Sequence, residues 1–207
     1  MKRTGRLLWG LTLSLLFVGG HVSSALAERP DPAAFLQAQI RSIRALLASP
    51  VESGSLEARA LDTRLRAMIE ASMELDRLGE KTLGRHWAAL SVDQRKVLVE
   101  ILRDLFYRSH LKRVRSAHEQ YELAFGGERS APEATSARVA VIARTRSSET
   151  ELVFVMEARD GKDWLVTDVL IDEVSLIRNY RDQFNEIITT DGYPALLETL
   201  KQKQAEL

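Results

Sequence analysis

The sequence predicts an α+β domain in which helices pack on a strongly curved antiparallel sheet of four or five strands. Three observations carry this. Apolar residues recur at three- and four-residue spacing from Phe35 to Phe106, the signature of amphipathic helices. After Tyr121 the pattern changes to short β-branched runs joined by tight polar turns, which predicts an antiparallel meander. Finally, the stretch Trp164 to Phe184 begins as a strand and changes period, so the last strand hands the chain to a helix that folds back over the sheet.

The first 27 residues read as a secretory signal. They have a basic start (Lys2, Arg3, Arg6), an apolar run from Leu7 to Val18, and a small-residue cleavage site at Ala25-Leu26-Ala27. That run is short of the roughly 20 residues a membrane span needs. Cleavage would leave residues 28–207 as one domain beginning at Glu28. The chain has 29 basic and 29 acidic residues, and the leader holds three of the basic ones, leaving 26 against 29. A slightly acidic mature chain argues against a nucleic-acid binder. There is no cysteine, hence no disulfide and no site for lipoprotein acylation. A freely soluble periplasmic protein is expected.

Asp31-Pro32 predicts a helix start, with aspartate as cap and proline in the first helical position. Phe35, Ile40, Ile43, Leu46 and Leu47 supply its stripe up to Ser49-Pro50. After Ser53-Gly54-Ser55 a second helix carries Leu61, Leu65, Met68, Ile69 and Met73 on one side. One or two short helices follow between Leu75 and Leu90, broken near Gly79 or Gly84. Ser91-Val92-Asp93-Gln94 is a capping box, and it launches a long helix with Val97, Leu98, Ile101, Leu102, Leu105 and Phe106 on a wide apolar face.

Strands are expected over Glu122–Gly127, Arg138–Arg146 and Glu151–Arg159, and from Trp164. Leu152 through Met156 is apolar at every position, so that strand should be covered on both faces. Ser175 caps the following helix, whose face is Leu176, Ile177, Tyr180, Phe184 and Ile187-Ile188. Asp191-Gly192 ends it and Tyr193-Pro194 restarts a last helix with Leu196, Leu197 and Leu200 inward. There is no internal repeat and no second domain.

Nothing in the chain has the spacing of an enzyme site. His86, His110 and His118 lack the close spacing that a zinc site favours, and no His-Glu-x-x-His occurs. Asp168, Asp172 and Glu173 could be read as acid–base carboxylates. The simpler reading has Asp168 bonded within the turn, with Asp172 and Glu173 favouring the positive end of the next helix. Gly-x-Ser-x-Gly, a phosphate-cradling glycine loop and a catalytic cysteine are all lacking. No cofactor is implied. Lys112, Arg113 and Arg115 form a basic cluster that reads as a solvated face or as a contact for anionic lipid heads. Arg178 and Arg181 lie three apart on the last strand's helix.

Two segments resemble a known family. Leu83-Gly84-Arg85-His86-Trp87 is similar to its Leu-Gly-x-x-Trp signature. The second segment comprises Trp164, Val166, Asp168 and Val169, then Val174-Ser175-Leu176, Asn179-Tyr180-Arg181 and Gln183-Phe184. Together they resemble the toluene-tolerance or MlaC family of periplasmic phospholipid carriers. Two departures are visible. The family usually has glycine where Glu173 stands, and it often carries aromatic residues where Leu98, Leu102 and His110 stand. The resemblance implies an apolar cavity between helices and sheet that holds the acyl tails of a lipid. It also implies transfer between an inner-membrane ABC transporter complex and an outer-membrane lipoprotein complex, maintaining outer-membrane lipid asymmetry, and a fold-holding role for Arg181. A hopanoid or other amphiphile is the alternative cargo, and an adaptor with a filled cavity the alternative role.

Alternation along Glu151–Arg159 puts Leu152, Phe154 and Met156 on one face and Val153 and Val155 on the other. In the resemblance the first set faces the cavity. Val139 and Val141 of the neighbouring strand, and Leu98, Ile101 and Leu102 of the long helix, are expected to join it.

Overall fold

A computed structural model describes residues 30–48, 51–52, 54–117, 120–129, 135–159 and 163–207. The leader, His118 and the side chains of His110, Lys112, Arg113 and Arg115 lie outside the described residues.

Each of the four long helices starts where the sequence carries a cap. Helix α1 (Pro32–Leu47) begins with the Ala34 N–H donating to Asp31 Oδ1 at 2.7 Å. Helix α2 (Leu56–Ser72) begins with the Ala58 N–H on Ser55 Oγ at 3.0 Å. A 3-10 turn then leads into the short α3 (Leu78–Leu83). The break falls at Gly84, whose φ of 51° is left-handed, while Gly79 lies buried inside the helix. The capping box of α4 (Val92–Ala117) is closed in both directions. Ser91 N–H donates to Gln94 Oε1 at 2.8 Å, and Gln94 N–H to Ser91 Oγ at 3.2 Å.

Strands β1 (Glu122–Arg129), β2 (Ser136–Arg144), β3 (Glu149–Arg159), β4 (Asp163–Ile171) and the two-residue β5 (Val174–Ser175) form an antiparallel meander in chain order. Register shifts interrupt β1 between Phe125 and Glu128, and the β3–β4 pairing at Thr167, bending the sheet. Helix α5 (Leu176–Ala205) follows at once. It kinks at Gly192, where φ is 83°, just before Pro194, the point at which the sequence predicts a break between two helices.

Among the described residues the apolar interior divides into three clusters. One lies between α3, α4 and α5 and holds Leu83, Leu98, Ile101, Leu102, Phe184 and Leu196. A second joins α1, α2 and α4 through Leu47, Leu61, Leu65 and Tyr107. In it Arg66 lies 4.4 Å above the Tyr107 ring, and burial together with Glu70 holds the Tyr107 phenol well above its usual range. The third packs α1 on the sheet and contains the candidate site.

Candidate functional site: the concave face of the sheet

The register decides which side chains share a face. Val139 pairs with Phe154, Val141 with Leu152 and Ala137 with Met156. On the other side of β3, Leu152 pairs with Ile171, Phe154 with Val169, Met156 with Val166 and Ala158 with Trp164. These residues form one apolar face, and Leu36 of α1 packs against it. All five strand positions expected in the site, Val139, Val141, Leu152, Phe154 and Met156, are therefore brought together.

The three helix positions are not. Leu98, Ile101 and Leu102 are buried in the cluster formed with α5, against residues such as Phe184, Leu196 and Leu200. The expectation that they oppose the strand set is corrected, because α5 already occupies that face of α4. The helix across from the sheet is α1. Its sheet-facing residues are Ala33, Phe35, Leu36 and Ile40, of which Leu36 is the buried one. Leu36 was legible at helical spacing from Ile40, one turn away. Leu123 and Phe125 of β1 also pack on this face and were not anticipated.

Helix α1 is fastened at both ends by polar contacts. The Trp164 indole N–H donates to the Pro30 carbonyl at 2.7 Å. At the other end the Arg44 guanidinium donates to the Tyr121 carbonyl. Between them the contact with the sheet is apolar. Burial on the concave face is graded: Met156 is fully buried, Phe154 and Leu152 are half-buried, and Ile171 is exposed. The face is thus closed at the Trp164 end and open at the Ile171 end. An apolar face left partly exposed in this way can hold hydrocarbon, since withdrawing apolar surface from water is favourable.

The motif residues turn out to hold the fold. Asp168 accepts from the Val169 N–H at 2.8 Å, from the Ile177 N–H at 3.2 Å and from the Ser175 hydroxyl at 2.5 Å. Ser175 Oγ in turn accepts from the Arg178 N–H at 3.0 Å. Asp168, rather than Asp172 or Glu173, therefore bonds to the first turn of α5. Asp172 instead accepts from the Glu151 N–H at 3.0 Å. Nε2 of His86 lies 2.9 Å from Asn185 Oδ1, and the Arg95 guanidinium stacks 5.1 Å from the Trp87 ring.

A separate cleft of about 370 Å³ lies between the end of α2 and the ends of β3 and β4. Three of its charges, Glu74, Arg77 and Glu157, are in ion pairs, two of them with the neighbouring Lys81. Glu74 meets Arg77 at 3.1 Å and Lys81 at 3.3 Å, and Lys81 reaches Glu157 at 3.7 Å. Among the described residues no cluster of three metal-ligating side chains occurs, and no helix is long and apolar enough to cross a membrane.

No curated protein matches the chain. A solved structure titled as the phospholipid-binding protein from Ralstonia solanacearum in complex with a phospholipid matches with a TM-score of 0.70. Identity is 18%, with 86% of this chain and 98% of that chain covered, so the likeness is one of fold. The family model described as MlaC protein matches residues 38–202, and the chain belongs to that family.

Proposed function

We propose that the protein is a lipid carrier whose concave face, lined by Val139, Val141, Leu152, Phe154 and Met156, holds the acyl tails of a phospholipid. The carrying observation is the apolar face itself, continuous over four strands and only partly covered by α1. Each methylene moved out of water gains about 0.8 kcal/mol, so a groove of this kind can hold tails that water rejects. The phospholipid complex of the similarly folded Ralstonia solanacearum protein supports the same reading.

The family and the leader-like first 27 residues support the following cellular role. Residues 1–27 are removed to give Glu28, and residues 28–207 act as a single monomeric domain in the periplasm. The domain accepts lipid at one membrane's protein complex and delivers it at the other's, an inner-membrane ABC transporter complex and an outer-membrane lipoprotein complex, thereby maintaining outer-membrane lipid asymmetry. No step needs covalent chemistry: the groove binds, shields and releases.

Native mass spectrometry of protein recovered from cells without detergent tests this. The expected result is a mature chain starting at Glu28 with a phospholipid mass attached. A hopanoid or another amphiphile in its place would overturn the phospholipid assignment, and a ligand-free chain would overturn the carrier itself.

A further inference from the structure

The half-open end of the concave face terminates in an unusual turn. Ile171 and Val174 pair across it, and between them Asp172 and Glu173 both have left-handed φ, 46° and 68°. Two-residue hairpin turns of this hand favour Asn-Gly or Asp-Gly, because residues with a Cβ are strained there. The turn is nevertheless fixed: Asp172 N–H donates to the Glu151 carbonyl at 2.9 Å, and Asp172 Oδ1 accepts from the Glu151 N–H. Ile171 shares the concave face with Leu152, its partner across the ladder, and Val174 extends that row past the sheet's end. Ile171 is 37% exposed and Val174 58%. An apolar track thus runs from buried Met156 through Phe154 and Leu152 to two exposed β-branched side chains, and two carboxylates stand at its outer end. On the adjoining β2–β3 turn Arg144 is bound to Glu149 at 2.6 Å, and Arg146 is the other cation.

We infer that the Ile171–Val174 turn is the entry lip of the lipid groove, and that Asp172 and Glu173 make the protein prefer lipids with an ammonium in the head group over net-anionic ones. This rests on the carrier reading above. Tails slide over Ile171 and Val174 onto Leu152 and Phe154 and so stay on apolar surface throughout entry. The head group remains last, beside the two carboxylates. There an ammonium is attracted, and a head group bearing only phosphate charge is repelled. Both acidic residues are exposed on this fixed turn, Asp172 while also holding the Glu151 N–H, which gives the backbone strain a use.

The test is protein-mediated transfer of tail-labelled lipid between vesicles, with phosphatidylethanolamine or phosphatidylglycerol as the labelled cargo in otherwise phosphatidylcholine vesicles. The wild-type protein should move the ethanolamine lipid several-fold faster, and the preference should fade at high salt. Ile171→Thr with Val174→Thr keeps β-branched side chains on the strands. This double variant should slow both cargoes about tenfold, yet retain wild-type melting and a wild-type amount of copurified lipid. Asp172→Asn with Glu173→Gln should abolish the preference, bringing the two cargoes to one rate, with the glycerol lipid speeded. A threonine variant that transfers at the wild-type rate would overturn the lip. A wild-type protein without head-group preference, or one whose preference survives removal of both charges, would overturn the selection. Loss of all transfer and of all bound lipid in the wild type would instead contradict the carrier reading.

Discussion

Arg181 donates two hydrogen bonds to the backbone carbonyl of Lys81, from Nε at 2.9 Å and from a terminal nitrogen at 2.7 Å, tying α5 to α3 across 100 residues. This is the fold-holding role that the resemblance implies for this arginine. Removing it leaves the carbonyl without these donors. Arg181→Met should therefore lower unfolding free energy by about 1.5–3 kcal/mol, the range for hydrogen bonds from charged groups. Arg181→Lys, which cannot fork, should fall between. Denaturant unfolding measures both, and a midpoint equal to the wild type would remove the arginine from the account.

Gly79 lets α3 pack closely on Trp87 and Val99. A Cβ placed there would lie 2.8 Å from the Trp87 ring and 2.9 Å from Val99 Cγ2. Gly79→Ala should thus destabilise by about 1–3 kcal/mol through overpacking, although alanine is the better helix former. A raised melting temperature would show that Trp87 yields easily.

At Glu173 the opposite change is expected. Its φ of 68° suits glycine. Glu173→Gly should stabilise the fold by about 1 kcal/mol by relieving the left-handed strain, net of the added freedom of the unfolded chain. Thermal unfolding decides it, and a lower melting temperature would mean that the carboxylate makes a contact worth more than the strain.

Much of this fold was readable in the residues. The caps at Asp31, Ser91 and Ser175, the four longer strands and the break at Gly192 are local signals, and local hydrogen bonds fulfil the caps. The pairing of strand faces was not readable. Trp164 and Val166 share the concave face with Val169 and Ile171, although the two pairs differ in parity along β4. The reconciling residue is Thr167, which stands unpaired in a bulge and shifts the alternation by one. A bulge leaves no periodicity to detect. Nor could the sequence say which helix covers the sheet. The apolar faces of α1 and α4 are chemically equivalent, and only the docking of α5 on Leu98, Ile101 and Leu102 settles that α1 takes the role.

Trp164 and Phe184, one at each end of the strand-to-helix unit, are 3% and 4% exposed and belong to different clusters. Changing either to alanine should cost roughly 3–5 kcal/mol through the cavity left behind. Because they share no cluster, the double variant should show nearly additive losses. Trp164→Ala also frees the Pro30 carbonyl that anchors the start of α1. Calorimetry measures all three, and an unchanged melting temperature in a Trp164→Ala protein that has lost its lipid would make the indole a ligand contact instead of a core residue.

The central claim is that the concave face of the sheet is where lipid tails lie, and Phe154 is its most direct probe. The side chain is half-buried in the middle of the apolar track, flanked across the ladders by Val139 and Val169. A carboxylate there would stand unpaired among hydrocarbon, which is strongly unfavourable. Val153, its neighbour on the opposite face, is the control. The decisive measurement is the lipid-to-protein ratio, by native mass spectrometry, of Phe154→Glu and Val153→Glu proteins whose circular dichroism matches the wild type. We expect the lipid to be absent from Phe154→Glu and present in Val153→Glu, whereas a folded Phe154→Glu protein carrying its full complement of lipid would contradict the assignment.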